Sequence, residues 1–424
     1  MIALLRNMLL CLLCCSVSAV AFAQTNGERS ISFIDGAEVS YRYFPAKGNK
    51  LFVWIPTEAG ILKAEQNLIT QVAATGIEVW YPDFLGSNFL STTATDVDKI
   101  PATQVEGIVS AAVGTGKQVY LLSSARGAIP ALRGARLWQQ KHADSSAFQG
   151  VILLSPKLYI ETPDPGQAAK LMPIVSISNL PMVVLQPRQS PWYWKLEQTI
   201  PALEKGGSEV FVRTLPNLRD RFNYRPDATK GEQAFVIKLP GLFQQATQLL
   251  SFLPPKRQAV KITKEANTQS TSVKRERVLT PYPGSPLAPA LRLESLTTGM
   301  LDINDYRDKV ILVNFWASWC PPCVHEMPSM QRLSDSLIGK PFAMLAVNMA
   351  EDKATVQKFV NEKIAVDFSI LFDKDGAALK RWGVFAFPTT YIIGKQGRIR
   401  YALFGSRQWD SPDVYQVLEK LMAE

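Results

Sequence analysis

The feature that most constrains this chain is the apolar run Lys309 to Trp316, which delivers almost directly into Trp319-Cys320-Pro321-Pro322-Cys323. A buried strand feeding a helix, with two cysteines in the first turn, is an arrangement built for thiol chemistry. A disulfide exchanger needs one thiolate that attacks and a second thiol that resolves the mixed disulfide. Two residues between the cysteines at a helix start hold both sulfurs within bridging distance. Unpaired N–H groups and positive potential at the helix N-terminus lower the pKa of Cys320. Pro321 and Pro322 suit a first turn, where missing N–H groups cost little. Cys323, one turn in, is the more buried and resolving partner.

The other cysteines sharpen this reading. Arg6, the apolar run Met8–Val20 and Ala21-Phe22-Ala23 form a positive start, an apolar middle and a small-x-small cleavage site. Residues 1–23 are therefore read as a signal peptide cut before Gln24, with an uncleaved membrane anchor as the alternative. Cys11, Cys14 and Cys15 leave with it, so of five cysteines the mature chain keeps Cys320 and Cys323. One pair closing so short a loop does not staple a large domain. A metal role stays open beside the redox one: two cysteines fill half a zinc shell, while His325, Met327 and Met330 nearby suit soft copper(I). No metal site and no cofactor are expected.

At 424 residues two domains are expected. Strand-like runs at 31–34, 51–55, 77–81, 118–122, 150–154, 182–185 and 209–212 alternate with helical patterns at 62–74, 104–113, from about 128, and 242–253. Buried apolar strands alternating with helices predict a parallel sheet covered on both faces over residues 24–253. Residues 254–285 are polar and Pro-containing, with Lys261, Lys264, Lys274, Arg275 and Arg277, and read as a basic linker. Much of the net charge of +9, or +8 without Arg6, lies here and not on an aromatic-laced face, which argues against nucleic-acid binding. The linker is a solvated tether or a contact for an anionic membrane surface. The second domain, 286–424, carries strands at 309–316, 342–348, 368–372, 389–393 and 398–404 and helices after the cysteines and at 353–362, 376–382 and 412–422.

Residues 286–424 resemble the TlpA/ResA/CcmG branch of the thioredoxin superfamily. The resemblance rests on Val310-Ile311-Leu312-Val313-Asn314-Phe315-Trp316-Ala317-Ser318-Trp319-Cys320-Pro321-Pro322-Cys323, on Val324-His325-Glu326-Met327-Pro328, and on Phe387-Pro388-Thr389-Thr390. It implies a thioredoxin fold and a redox disulfide between Cys320 and Cys323. It further implies that Pro388 is a cis-proline aligning substrate and that Pro328 kinks the active-site helix. Ordinary thioredoxins carry a buried Asp where Asn314 stands. In this branch the acid sits three residues past the second cysteine, which makes Glu326 the expected proton shuttle, one turn beyond Cys323.

The first domain resembles an α/β-hydrolase outline without its triad. The nucleophile elbow after strand 118–122 reads Ser123-Ser124-Ala125-Arg126-Gly127, placing Ala125 where the nucleophile belongs. Gln186-Pro187-Arg188 stands where the acid is expected, and Leu215 to Arg219 holds no His for the base. His142 comes too early in chain order. Catalysis from a shifted Ser123 or Ser124 lacks a positioned base. The aromatic run Pro191-Trp192-Tyr193-Trp194 is expected near the old active-site rim, packed as a capping loop or offered to a protein partner.

Together these readings predict a periplasmic thiol–disulfide oxidoreductase reducing particular protein disulfides, apocytochromes c or copper-site proteins among them. By resemblance, a DsbD-type membrane protein supplies its electrons. An oxidase or isomerase, or a copper-binding or adaptor module, are the alternatives, because about 30 mV moves the two-electron equilibrium tenfold.

Overall fold

The computed structural model describes residues 27–33, 36–165, 167–255, 257–260 and 278–424. The signal segment 1–23 and the linker residues Lys261, Lys264, Lys274, Arg275 and Arg277 lie outside the described residues. No helix among the described residues is long and apolar enough to cross a membrane.

The first domain is built on strands β1 (Gly27–Ser32), β2 (Glu38–Phe44), β3 (Lys50–Ile55), β4 (Ile77–Pro82), β5 (Gln118–Ser124), β6 (Phe148–Leu154), β7 (Pro181–Gln189) and β8 (Glu209–Arg219). They form one sheet in the order β1-β2-β4-β3-β5-β6-β7-β8. Strands β3 to β8 are parallel. Side-chain alternation explains why these runs read as continuously apolar. Leu51, Val53, Ile55, Leu121 and Leu153 enter one core layer, while Phe52, Trp54, Tyr120, Leu122 and Ile152 enter the layer on the opposite face.

The sheet is not wholly parallel as expected. β1 and β2 form an antiparallel hairpin, and β2 also runs antiparallel to β4. A short connection through Gly36, whose φ is +83°, allows only a hairpin there. β2 itself went unread because its inward residues Val39, Tyr41 and Tyr43 alternate with more exposed polar ones. Helices at Leu196–Lys205, interrupted in pattern by Pro201, and Lys230–Val236 are further elements that the sequence did not announce.

The second sheet comprises β9 (Thr280–Pro281), β10 (Arg292–Ser295), β11 (Gly299–Asp302), β12 (Val310–Trp316), β13 (Phe342–Met349), β14 (Ser369–Asp373), β15 (Thr389–Ile393) and β16 (Ile399–Phe404). Their order is β11-β10-β14-β13-β12-β15-β16-β9, with β12, β13 and β14 parallel and β15 antiparallel to β12. The stretch read as a linker is anchored at both ends. Arg257 pairs with Glu209 of the first domain, and Thr280–Pro281 pairs with β16 of the second. The helix expected over 353–362 is α-helical over Lys353–Phe359 and continues as a π turn over Val360–Ile364, closed by Ala365 at φ +42°.

Alternation along β12 also places the site. Leu312 and Trp316 face the layer that holds Cys323, Met327, Met330 and Leu333 of the following helix, whereas Ile311, Val313 and Phe315 face the other layer. Asn314 shares the face of Leu312 and Trp316, so a polar group lies beneath the active-site helix.

Candidate active site

β12 ends at Trp316, and the chain turns through Ala317 to Trp319 into the helix Pro321–Ser336. Cys320 is the N-cap of that helix, and Pro321 and Pro322 occupy its first turn. Cys320 and Cys323 are joined as a disulfide, with Cα atoms 5.3 Å apart. The Cys323 N–H points at the Cys320 sulfur at 3.3 Å, so the first free donor of the helix already addresses the atom that would carry thiolate charge. Cys320 is 6% exposed and Cys323 fully buried. Both are buried, Cys323 the more completely.

Glu326 lies one turn beyond Cys323 and is 1% exposed. Its carboxylate accepts hydrogen bonds from Asn314 Nδ2 at 2.9 Å, Trp409 Nε1 at 2.9 Å and the Arg407 N–H at 3.3 Å. Asn314 Nδ2 also donates to Thr390 Oγ1 at 2.9 Å, tying β12, β15 and the helix together. Pro328 stands inside the helix and withholds an N–H there. The Phe387–Pro388 bond is cis, at the entry to β15. Because Phe315 pairs with Thr389, Pro388 stands at the same end of the sheet as the cysteine turn. Phe387 meets Trp319 edge to face at 5.7 Å, and the Gly405 N–H donates to the Pro388 carbonyl at 2.9 Å.

Two groups at this site went unread in the sequence. Trp409 comes from the loop before the last helix and holds Glu326 through its indole N–H. Glu351, just past β13, accepts from the Ser318 N–H at 2.7 Å and Asn348 Nδ2 at 2.8 Å, and also from the Ser318 hydroxyl. Burial raises the Glu351 carboxyl above its ordinary range. It anchors the turn that presents Cys320. Its place just past the C-terminal end of a parallel strand, next to the cysteine-bearing strand, is a signal that the fold supplies and the local sequence does not.

Met327 and Met330 are fully buried in the apolar layer with Cys323.

The first domain has a similar turn without a reactive group. Ala125 follows β5 with φ +47°, the strained conformation of an elbow between strand and helix. A Cβ at Gly127 would stand 2.4 Å from the Pro56 carbonyl oxygen, so the second flank must be small. The Arg126 N–H, next after the elbow, donates to the Glu58 carboxylate at 3.0 Å. Ser123 is buried with its hydroxyl on the Ile55 carbonyl, and Ser124 addresses Glu65. Gln186 is buried beside Ser155, which donates to Asp220 at 2.5 Å. Burial raises Asp220 and lowers Lys157, its electrostatic neighbour. His142 packs its ring tilted against Trp138, at the far end of the helix from the elbow. Trp192, expected at the rim, stacks on Tyr159 and stands by Lys157, whose backbone N–H donates to the Ala125 carbonyl at 2.9 Å. It also meets Phe385 of the second domain, against which Trp194 packs as well.

Comparison with known proteins bears on the second domain. The AhpC/TSA family matches residues 286–402. The thiol-disulfide oxidoreductase ResA of Geobacillus thermodenitrificans is 35% identical over 134 residues, 32% of this chain and 75% of that protein. Its namesake from Geobacillus kaustophilus is 35% identical over 119 residues, 28% of this chain and 67% of that protein. Among solved structures, a DsbF homologue from Corynebacterium diphtheriae aligns at 24% identity over 36% of this chain and 97% of its own, with a TM-score of 0.31.

Proposed function

Since the chain belongs, through its C-terminal domain, to the ResA-like thiol-disulfide oxidoreductases, we propose that it is an exported reductase of particular protein disulfides. The dithiol Cys320/Cys323 carries the reaction, and the first domain is a hydrolase-like scaffold without catalysis. The observation that carries this reading is a fully buried Cys323 one helical turn before a buried Glu326 held by Asn314, Trp409 and Arg407, with Cys320 at the helix N-cap.

In the reduced protein the Cys320 thiolate attacks one sulfur of a substrate disulfide and expels the other as a thiolate. The Cys323 thiol, passing its proton to Glu326, then attacks the Cys320 sulfur. This forms the intramolecular disulfide and frees the second substrate thiolate, which takes up a proton that Glu326 can return. Two electrons have moved to the substrate. Pro388 aligns the substrate backbone beside the dithiol, and Trp319, Pro321 and Pro322 shape the turn. A DsbD-type membrane donor restores the dithiol, apocytochromes c or copper-site proteins are the substrates, and residues 1–23 direct export to the periplasm. The basic stretch 254–285 is a tether that can meet an anionic membrane surface.

Support for a non-catalytic first domain comes from Ala125 at the elbow and from the Glu58 carboxylate on the Arg126 N–H. An oxyanion would be repelled by that carboxylate. The test of direction is the redox state of the pair in cells by thiol trapping, together with its reduction potential. A mostly reduced pair with a potential nearer about −270 mV than about −120 mV supports a reductase. A mostly oxidised, strongly oxidising pair makes it an oxidase.

A further inference from the structure

The aromatic run of the first domain covers the loop that leads to Pro388. Phe385, three residues before that proline, is only 6% exposed. Its ring meets Tyr159 edge to face at 5.0 Å and Trp192 at 5.6 Å, and the Lys195 ammonium stands 5.2 Å from its centre. Burial lowers the Lys195 pKa, with Lys380 adding to it, as expected of a dry contact. Beside this cluster Trp194 lies so close to Gly376 that a Cβ there would stand 2.4 Å from the ring, and Lys380 pairs with Glu197 at 2.8 Å.

The opposite flank of Pro388 is approached as well. Asp164, Pro165 and Gln167 of the first domain face Val278, Pro281 and Phe404 across a narrow cleft, and Phe404 pairs with Thr389. A continuous path of rings and backbone therefore runs from Trp192 through Phe385 and Phe387 to Trp319 and Cys320.

We propose that the first domain is docked through this aromatic wedge as a fixed buttress for the Pro388 loop, with Trp192 and Phe385 as positioning residues for exchange with protein disulfides. This rests on the dithiol reading above. A polypeptide substrate must lie along Pro388 while its sulfur meets Cys320, so misplacing the loop slows its attack. A small disulfide needs only the Cys320 sulfur and is indifferent to the loop.

The test uses the full chain, reduced, in single turnover with insulin as the protein disulfide and oxidised glutathione as the small one. Trp192→Ala and Phe385→Ser slow the insulin reaction at least about fivefold and leave the glutathione reaction within about twofold, while Trp192→Phe stays near the unaltered chain. Amide hydrogen exchange across residues 383–387 rises in Trp192→Ala. An unchanged insulin rate, a parallel fall with both probes, or unaltered exchange across 383–387 overturns the proposal. Cys320→Ala abolishes both reactions; activity surviving there contradicts the dithiol reading and not the wedge.

Discussion

In each domain a central strand of the sheet ends in a tight turn that opens a helix, β12 into Cys320 and β5 into Ala125. The two turns differ in what their helix ends address. At Cys320 a free backbone N–H points at the sulfur, and a buried carboxylate waits one turn on. At Ala125 the N–H that follows the elbow is filled by Glu58, and the side chain at the elbow is a methyl group. Both turns lead a strand into a helix, but the strained φ of +47° belongs to Ala125, while Cys320 keeps an extended φ of −101°. Geometry alone therefore does not make a site; the group placed on it does.

The comparison breaks most sharply by exchanging the two keys. Cys320→Ala removes the attacking sulfur, and disulfide reduction falls to the uncatalysed level in an insulin precipitation assay. Ala125→Ser restores a hydroxyl at the elbow but neither a base nor an open oxyanion site. It gains no ester hydrolysis above background; hydrolysis of a p-nitrophenyl ester would show the first turn to be armed after all.

A smaller effect sharpens the role of Glu326. Glu326→Gln lowers turnover with a protein disulfide by at least about a hundredfold, in line with the loss of general acid–base catalysis, while the disulfide still forms. Oε2 accepts from both Trp409 and Arg407, so the amide also leaves a buried donor unpaired. That costs about 1–3 kcal/mol in urea unfolding of the second domain. Unchanged turnover together with unchanged Cys pKa values would remove the proton role.

A further effect concerns the first domain. Burial pushes Glu65 up to about 7, against hydrogen bonds from Tyr81 and Ser124. The unfolded chain ionises near the ordinary carboxylate value of about 4.3, while the folded domain still holds the proton. Stability is therefore undiminished by this group below that pH, and it is lost as pH rises toward about 7, on the order of 3 kcal/mol in all. Glu65→Gln flattens that slope in unfolding measured between pH 4 and 8. An equal slope in the variant assigns the dependence to other groups.

Legibility followed the range of the interactions. Cys320 and Cys323 were legible from their spacing at a helix start, whereas Glu326, on the same helix, was expected through the family resemblance. Pro388 and Ala125 were legible because each sits in a short run that resembles a family motif. Trp409 and Glu351 reach the site from other elements, and nothing in their neighbours says which carboxylate or loop they will meet. β2 and the hairpin β10–β11 alternate polar and apolar residues over few positions, too weak a pattern beside the continuous buried strands. The run Trp192 to Trp194 announced a contact, but only the fold shows that its partner is Phe385 of the same chain.

The central claim is that the thiols carry the chemistry and the elbow carries none. Intact and peptide mass spectrometry of the reduced full chain, treated with iodoacetamide and a serine-directed fluorophosphonate together, tests both halves at once. The expected product is carbamidomethylated at Cys320 first and carries no phosphonyl group. Phosphonylation at Ser123 or Ser124, or an inert Cys320, would contradict the account.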